Sequence, residues 1–112
     1  MVKSETIYIE ENDKSYNVLI GQNAKDNDAI IKDSEPNDIW FHFAEISSPH
    51  IVLQSDGDDV PKRYLHQIAN LLWDYKSKAP RNQKVIYTEI KNIKLTKTPG
   101  SVITKNIRTL KL

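Results

Sequence analysis

The sequence predicts an α+β domain in which a mostly antiparallel β-sheet carries one long and one short helix. Short segments rich in β-branched and aromatic residues alternate with turn-forming residues along most of the chain. One stretch after Pro61 instead repeats apolar residues at helical spacing. Because 112 residues are enough to bury a hydrophobic core, we expect a single domain over residues 1–112.

The first third of the chain predicts a β-hairpin followed by a short helix. Residues 6–9 and 16–20 have the composition of strands, and the Asn-Asp segment between them suits a turn. Gly21 ends the second strand, and Asn23 or its neighbour can cap a helix over about residues 24–33. Pro36 follows, and because the residue before a proline avoids helical backbone, the helix ends there.

Residues 38–44 predict a central strand. Side chains alternate along a strand, so Ile39, Phe41 and Phe43 share an apolar face that belongs to the core. Trp40 and His42 lie on the other face, which is amphipathic. That face can be covered by a helix, with the indole packed and the imidazole hydrogen-bonded internally, or it can remain open to a ligand.

The second half predicts one more helix and several strands. Residues 50–54 form a short strand, and a long helix begins at Pro61 and ends before Pro80, with its apolar residues on one face. Residues 84–90 predict a strand, residues 91–100 a basic loop, and residues 101–112 a final strand or a pair of short strands.

Charge is divided unevenly between the two halves. Residues 1–59 carry 4 Lys against 13 Asp or Glu, a net charge of −9, whereas residues 60–112 carry 12 Lys or Arg against 2 acidic residues, a net charge of +10. Unless the fold places acidic and basic segments side by side, this division predicts a dipolar molecule that steers anionic partners to one side.

Several kinds of chemistry find little support. The chain has no cysteine, which excludes disulfides, and the spacing of His42, His50 and Asp38 matches no known metal-ligand signature. Serines near His50 lack the pattern of a nucleophile elbow, and three widely separated glycines form no phosphate loop. We therefore expect no metal, no cofactor and no catalysis. General acid–base catalysis by His42 and His50 is an alternative that the sequence leaves open.

No apolar run has the length needed to cross a bilayer, and the N-terminal residues lack the apolar region of a signal peptide. The expectation is a soluble, cytoplasmic protein without a membrane partner.

Nucleic-acid binding is better supported by the basic second half. Four basic residues bracket the junction between the long helix and the next strand, and three more repeat every three residues through the loop that follows. Together they could line a track of phosphates. They are Lys76, Lys78, Arg81, Lys84, Lys91, Lys94 and Lys97. An exposed Trp40 could stack an unpaired base beside that track. Alternatively, the lysines only solubilise an edge strand and its loop.

Four short motifs occur in an order that resembles one known family. They are the glycine and asparagines at Gly21, Asn23 and Asn27, the segment 38–42, the pair Ser48 and His50, and the pair Tyr87 and Thr88. With these motifs the chain resembles the NFACT-R domain of ribosome-quality-control factors and of small stand-alone proteins. Two departures are that Ser-Ser-Pro-His at 47–50 replaces the usual Pro-Gly-Ser-His, and that the lysine-rich loop before Gly100 is shorter.

The resemblance implies a non-enzymatic RNA-binding domain whose partner is tRNA or ribosomal RNA, with the ribosome as a further candidate partner. A related eukaryotic group is linked to DNA sensing, so DNA is also open. The implied pocket consists of Asp38, Trp40, His42 and His50, with Asn23 and Asn27 shaping its edge and Lys91 and Lys94 in the matching basic segment. The rival interpretation is a protein-interaction adaptor that uses the acidic and basic halves. The oligomeric state is open.

Overall fold

The computed structural model describes residues 2–76 and 78–110. The strands are β1 (Lys3–Ile9), β2 (Lys14–Gly21), β3 (Ile39–Phe43), β4 (His50–Leu53), β5 (Val85–Glu89), β6 (Ile93–Leu95), β7 (Val102–Thr104) and β8 (Arg108–Leu110). The helices are α1 (Ala24–Lys32) and α2 (Lys62–Asp74), and short 3-10 turns span Glu10–Asn12 and Ile90–Asn92.

Six strands form one sheet in the order β1-β2-β4-β3-β5-β8, and β6 and β7 form a separate two-stranded sheet. Every pairing is antiparallel. The predicted α+β class, with a mostly antiparallel sheet and two helices of unequal length, is confirmed.

The larger core lies between the sheet and α2. Phe41, Phe43 and Val85 point from the central strands towards Leu65, Ile68 and other apolar residues of α2, which repeat at helical spacing. The alternation predicted for β3 therefore places its phenylalanines in this core.

A smaller core covers the other face of the sheet. Trp40 and Val52 lie there against Ile30 and Ile31 of α1, and β6 and β7 contribute partly buried apolar residues around them. The short helix and the two-stranded β6–β7 hairpin therefore share one face of the sheet, opposite α2.

Two boundaries differ from the sequence prediction. The segment expected to be a basic loop contains the strand β6, because Ile93 and Leu95 face the smaller core while Lys94 between them points outward. The long helix ends at Asp74, several residues earlier than expected. The final segment forms two short strands, and residues 111 and 112 lie outside the described part of the chain.

The acidic and basic halves of the chain are separate in the order of the six-stranded sheet but meet elsewhere in the fold. Its first four positions, β1, β2, β4 and β3, come from residues 1–59, and its last two, β5 and β8, come from the basic half. The strands of the sheet are therefore not interleaved, whereas Arg63 of α2 pairs with Glu11 at 2.6 Å and the β6–β7 turn contacts α1. In the described ranges 2–76 and 78–110, no helix has the length and apolarity needed to cross a membrane.

Candidate functional site

The glycine and two asparagines of the first motif fix the start of α1. Asn23 caps the helix, its Oδ1 accepting a hydrogen bond from the Asp26 N–H at 2.8 Å. Asn27 reaches the sheet, where its Oδ1 accepts a hydrogen bond from the His50 backbone N–H at 3.2 Å. A Cβ on Gly21 would collide with the Asn27 side chain and lie 2.9 Å from its backbone nitrogen. Glycine at this position therefore allows α1 to dock on β2 and β4.

Trp40 and His50 form one buried hydrogen-bonded unit. The indole Nε1–H donates to His50 Nδ1 at 3.2 Å, and the two side chains are 1% and 2% exposed. Because Nδ1 accepts this bond, a neutral His50 carries its proton on Nε2. Burial is the main cause that lowers the pKa of His50 to about 3, and the charge on His42 is the second. His50 is thus a neutral ring with a fixed tautomer.

His42 packs against both members of this unit. Its ring stacks on Trp40 with centroids 5.2 Å apart and meets His50 edge to face at 4.8 Å. Its Nδ1 hydrogen-bonds the Phe43 carbonyl, which can only accept, so Nδ1 carries the proton. Burial lowers the pKa of His42, the Phe43 carbonyl partly opposes this shift, and Lys76 adds to it.

A cleft of about 460 Å³ opens in front of the two imidazoles, and we call it the histidine cleft. Four segments surround the rings: the start of α1, the β3–β4 turn, the residues that follow α2, and the β6–β7 turn. The lining residues are Gln22, Asn23, Ala24, Asn27, His42, Ser47, Ser48, Pro49, His50, Tyr75, Lys76, Pro99 and Gly100. Among the described residues, Lys76 is the one charged side chain that lines the cleft, and its Nζ donates to the Ser47 carbonyl.

The β6–β7 turn closes one rim of the histidine cleft. The Gly100 N–H donates to Asp28 Oδ1 at 3.1 Å, and a Cβ at Gly100 would come within 2.9 Å of the Ala24 Cβ. The backbone at Gly100 has φ +79°, which favours glycine. This turn is therefore built to lie against the first turns of α1.

The hairpin lysines, defined as Lys94 and Lys97, lead to that rim. Both are exposed, the first on β6 and the second in the β6–β7 turn. The other end of the hairpin lies beside the C-terminal end of α1, where the Lys91 N–H donates to the Pro36 carbonyl at 2.9 Å. The basic segment thus runs along α1 from its end back to its start.

The sequence predicted this site in part, and five residues named from the motifs and the basic segment converge on the cleft. They are Asn23, Asn27, His42, His50 and Lys76. Alternation along β5 places the Lys84 side chain on the face of the sheet that carries His42, while Lys78 and Arg81 are exposed after α2. Lys91 lies at the opposite end of β5 and pairs with Glu89 at 3.4 Å.

Two expectations need correction. Trp40 is not exposed, because the smaller core covers its ring, so the indole cannot stack a base from this position. Asp38 lies at the far end of β3 from the histidine cleft and does not line it. Its buried carboxylate accepts hydrogen bonds from the backbone N–H groups of Glu35 and Asp56, at 2.9 and 2.8 Å, so it holds two loops together.

Sequence reasoning missed several contributors to the cleft. Gln22 and Tyr75 gave no signal, because their side chains reach the cleft only through the packing of α1 and α2 on opposite faces. The pair Pro99 and Gly100 did give one, since this dipeptide marks a turn, but nothing in the sequence indicates that the turn lies against α1.

A second cavity of about 510 Å³ lies at the other end of β3 and β5. Three carboxylates, from Asp58, Asp59 and Glu89, line it together with Lys91 and Arg108. Its mixed charge suits an anionic partner less well than the histidine cleft does.

Comparison with known proteins gives the family. Residues 5–106 match the family described as the NFACT protein RNA binding domain. Coiled-coil domain-containing protein 25 of Mus musculus is 32% identical over 91 residues, which is 76% of this chain and 44% of the relative. A Dictyostelium discoideum homologue of that protein is 27% identical over 113 residues, 94% of this chain and 55% of the relative.

A solved structure shares the fold: the C-terminal part of the fibronectin/fibrinogen-binding protein from Streptococcus suis. It superposes with a TM-score of 0.77 at 24% identity, covering 98% of this chain and 45% of that one. The chain spans about half the length of the curated relatives it matches. The resemblance inferred from the four motifs is confirmed, and the chain belongs to the NFACT protein RNA binding domain family.

Proposed function

We propose that this chain binds structured RNA, either tRNA or ribosomal RNA, through the histidine cleft and the hairpin lysines, and that it acts in translation or ribosome quality control. The observation that carries the proposal is the convergence of five motif and basic residues on one cleft. Within the described part of the chain, the single charged residue that lines this cleft is a lysine. The family match over residues 5–106 supports RNA as the class of ligand.

The hairpin lysines and the histidine cleft are arranged to contact the phosphate backbone of an RNA that lies along α1. A helix of nine residues is ~13 Å long, and the hairpin lysines follow this length towards the cleft. Lys76 and Lys84 extend the basic surface past the imidazoles. Such a surface contacts only a few phosphates, so affinity depends on the three-dimensional shape of the RNA as well as on charge.

Folded RNA is favoured over single strands because the indole of the site motif is buried and offers no stacking surface at the cleft. Base stacking on aromatic side chains is the usual way to hold unpaired bases, and Trp40 is covered by the smaller core. Tyr75, the aromatic residue in the lining, donates its hydroxyl proton to Glu5 at 2.7 Å. Phosphate and ribose contacts are therefore the main source of affinity.

The test is fluorescence-anisotropy binding of labelled tRNA, single-stranded RNA and duplex DNA at about 50 and 200 mM salt. We expect tRNA to bind best, with each of Lys94→Ala and Lys97→Ala reducing the salt slope by about 1. Lys62→Ala is the matched control, because it removes one exposed lysine from α2 on the opposite face of the sheet.

Three outcomes would contradict the proposal. Equal loss of affinity for tRNA in the hairpin variants and in Lys62→Ala would mean that a lysine contributes to binding wherever it lies on the protein surface. Tighter binding of duplex DNA than of tRNA would assign the module to DNA. Absence of binding at low salt, together with concentration-dependent self-association, would favour the adaptor, for which Ile103, 62% exposed on β7 opposite Lys94, offers an apolar contact.

A further inference from the structure

The Nε2–H of His50 is a donor without an acceptor in the part of the chain that the structure describes. Its Nδ1 is occupied by Trp40, and among the described residues Nε2 has no hydrogen-bond partner. No fully buried side-chain nitrogen or oxygen in residues 2–76 and 78–110 lacks a partner. The Nε2 atom therefore reaches the histidine cleft, although the residue is only 2% exposed.

The first turn of α1 supplies further donors beside this ring. The Asn23 side chain and carbonyl accept the N–H groups of Asp26 and Asn27, which leaves the N–H groups of Ala24 and Lys25 without partners among the described residues. The N-terminus of a helix attracts anions through such groups and through the helix dipole. Asn23 and Ala24 both line the cleft, so the Ala24 N–H lies at its wall and the Lys25 N–H is the next donor along the first turn.

The charged side chain at the cleft is positive, so it favours an anion as the helix N-terminus does. Lys76 lies at its edge, and among the described lining residues there is no carboxylate. Two carboxylates of α1 lie nearby and both are engaged: Asp26 Oδ2 accepts a hydrogen bond from the Asn23 side-chain amide at 3.1 Å, and Asp28 Oδ1 accepts one from the Gly100 N–H at 3.1 Å. The cleft thus combines one positive charge with several hydrogen-bond donors, and a phosphate group, which only accepts, is the complementary ligand.

We propose that the histidine cleft is a phosphate site, in which the His50 Nε2–H, the first free N–H groups of α1 and Lys76 hold one phosphate group of the bound nucleic acid. Trp40 is the positioning residue of this site, because its indole N–H fixes the tautomer that leaves a proton on Nε2. The inference rests on the proposed RNA-binding function and names the ligand chemistry of its central contact.

The phosphate has two possible sources, an internal phosphodiester or the terminal 5′-phosphate of a strand. Both present the same acceptor oxygens to the same donors, and only the terminal group carries a second negative charge near neutral pH. Short RNAs with a 5′-phosphate or a 5′-hydroxyl distinguish the two.

Two substitutions at His50 separate its two ring nitrogens. His50→Asn places an amide oxygen near the Nδ1 position, so it keeps an acceptor for Trp40 but removes the donor in the cleft. His50→Gln extends its amide nitrogen towards the Nε2 position, so it keeps that donor. Neither variant carries a charge, and circular dichroism melts of both establish that they fold.

The experiment is NMR titration of the ¹⁵N-labelled chain with inorganic phosphate and with the two short RNAs. We expect the amide signals of Ala24 and Lys25 and the His50 Nε2 signal to shift on addition of phosphate. The affinity for inorganic phosphate should be about tenfold weaker in His50→Asn, equivalent to ~1.4 kcal/mol, and close to wild type in His50→Gln. A 5′-phosphate preference assigns the site to strand ends, and equal affinity of the two RNAs assigns it to internal phosphates.

Phosphate that leaves these three signals unmoved would overturn the proposal, as would equal affinity losses in the two variants. If His50→Asn binds tRNA with wild-type affinity, the phosphate site fails while RNA binding stands. If inorganic phosphate binds but no RNA does, RNA binding fails while the phosphate site stands.

Trp40→Phe tests the positioning role, because it removes the indole N–H and keeps most of the ring. We expect the His50 ¹⁵N signals to move towards a mixture of tautomers, with weaker phosphate binding. An unchanged tautomer in this variant would remove Trp40 from the proposal.

Discussion

The buried His50 makes folding stability depend on pH in a range where carboxylates contribute little. Burial, and then the charge on His42, lower its pKa to about 3, while in the unfolded chain the pKa returns to about 6.5. Between these values the unfolded chain binds a proton that the folded chain does not bind. Because protons then favour unfolding, stability is lost as pH falls from 6.5 towards 3.

The size of the effect follows from the shift. Each pH unit within this window removes about 1.4 kcal/mol, so a fall from pH 6.5 to about 4.5 removes ~2–3 kcal/mol. A domain of this size has a stability of about 5–15 kcal/mol, so the loss is a sizeable fraction of the whole. The lowered pKa of His42 adds a contribution of the same sign. The lowered pKa values of Glu11 and Asp58 act below this range, because carboxylates protonate at lower pH.

Urea unfolding of the wild type and of His50→Gln at several pH values between about 4.5 and 7.5 measures the effect directly. The glutamine cannot be protonated, so we expect a flatter profile for the variant and a difference that grows as pH falls. Parallel profiles for the two proteins would refute the reasoning, since they would mean that His50 charges as readily in the folded chain as in the unfolded one.

Three further predictions concern the framework of the cleft. Gly21→Ala should cost more than ~2 kcal/mol of stability, because the new methyl group displaces Asn27 from β4, and urea unfolding measures this; a loss below ~0.5 kcal/mol would contradict the close approach. Asn23→Ala should cost ~1 kcal/mol by removing the cap of α1, whereas Asn23→Ser should keep most of it, and equal melting curves for the two variants would argue against capping. Gly100→Ala should cost ~1–3 kcal/mol from its positive φ and its contact with Ala24, and hydrogen exchange should report faster opening of β6 and β7; unchanged exchange would mean that this turn is not docked on α1.

The fold was largely predictable because its elements obey local rules. The alternation of Ile39, Phe41 and Phe43 predicted the face of β3 that meets α2, and Asn23 predicted where α1 begins. The strand β6 was missed because only Ile93 and Leu95 mark it, and their apolar contacts lie in a core built from distant segments. Three residues are too few for a pattern of alternation to stand out from a lysine-rich loop.

The residues that line the histidine cleft were predictable only in part, and their geometry was not predictable. Exposure of Trp40 depends on whether α1 covers that face of the sheet, and the sequence left both possibilities open. Asp38 was assigned to the pocket because it belongs to the same motif, yet its position at the start of β3 separates it from His42 by the length of the strand. Motif membership therefore does not distinguish a residue that meets the ligand from one that holds a loop.

The burial of Trp40 changes the role of the group formed by Trp40, His42 and His50. An exposed indole would bind through its own surface, but a buried one acts through the bond it donates to His50. Burial, and then the charge on His42, lower the pKa of His50 and keep the ring neutral near pH 7, and the indole bond leaves its one proton on Nε2 as a donor. A neutral donor holds a phosphate with the same strength from pH 6 to 8, whereas a titrating histidine would weaken its hold across that range. Binding of inorganic phosphate that is constant over this interval, once the second ionisation of phosphate itself is taken into account, is therefore the outcome that follows from a buried tryptophan–histidine pair.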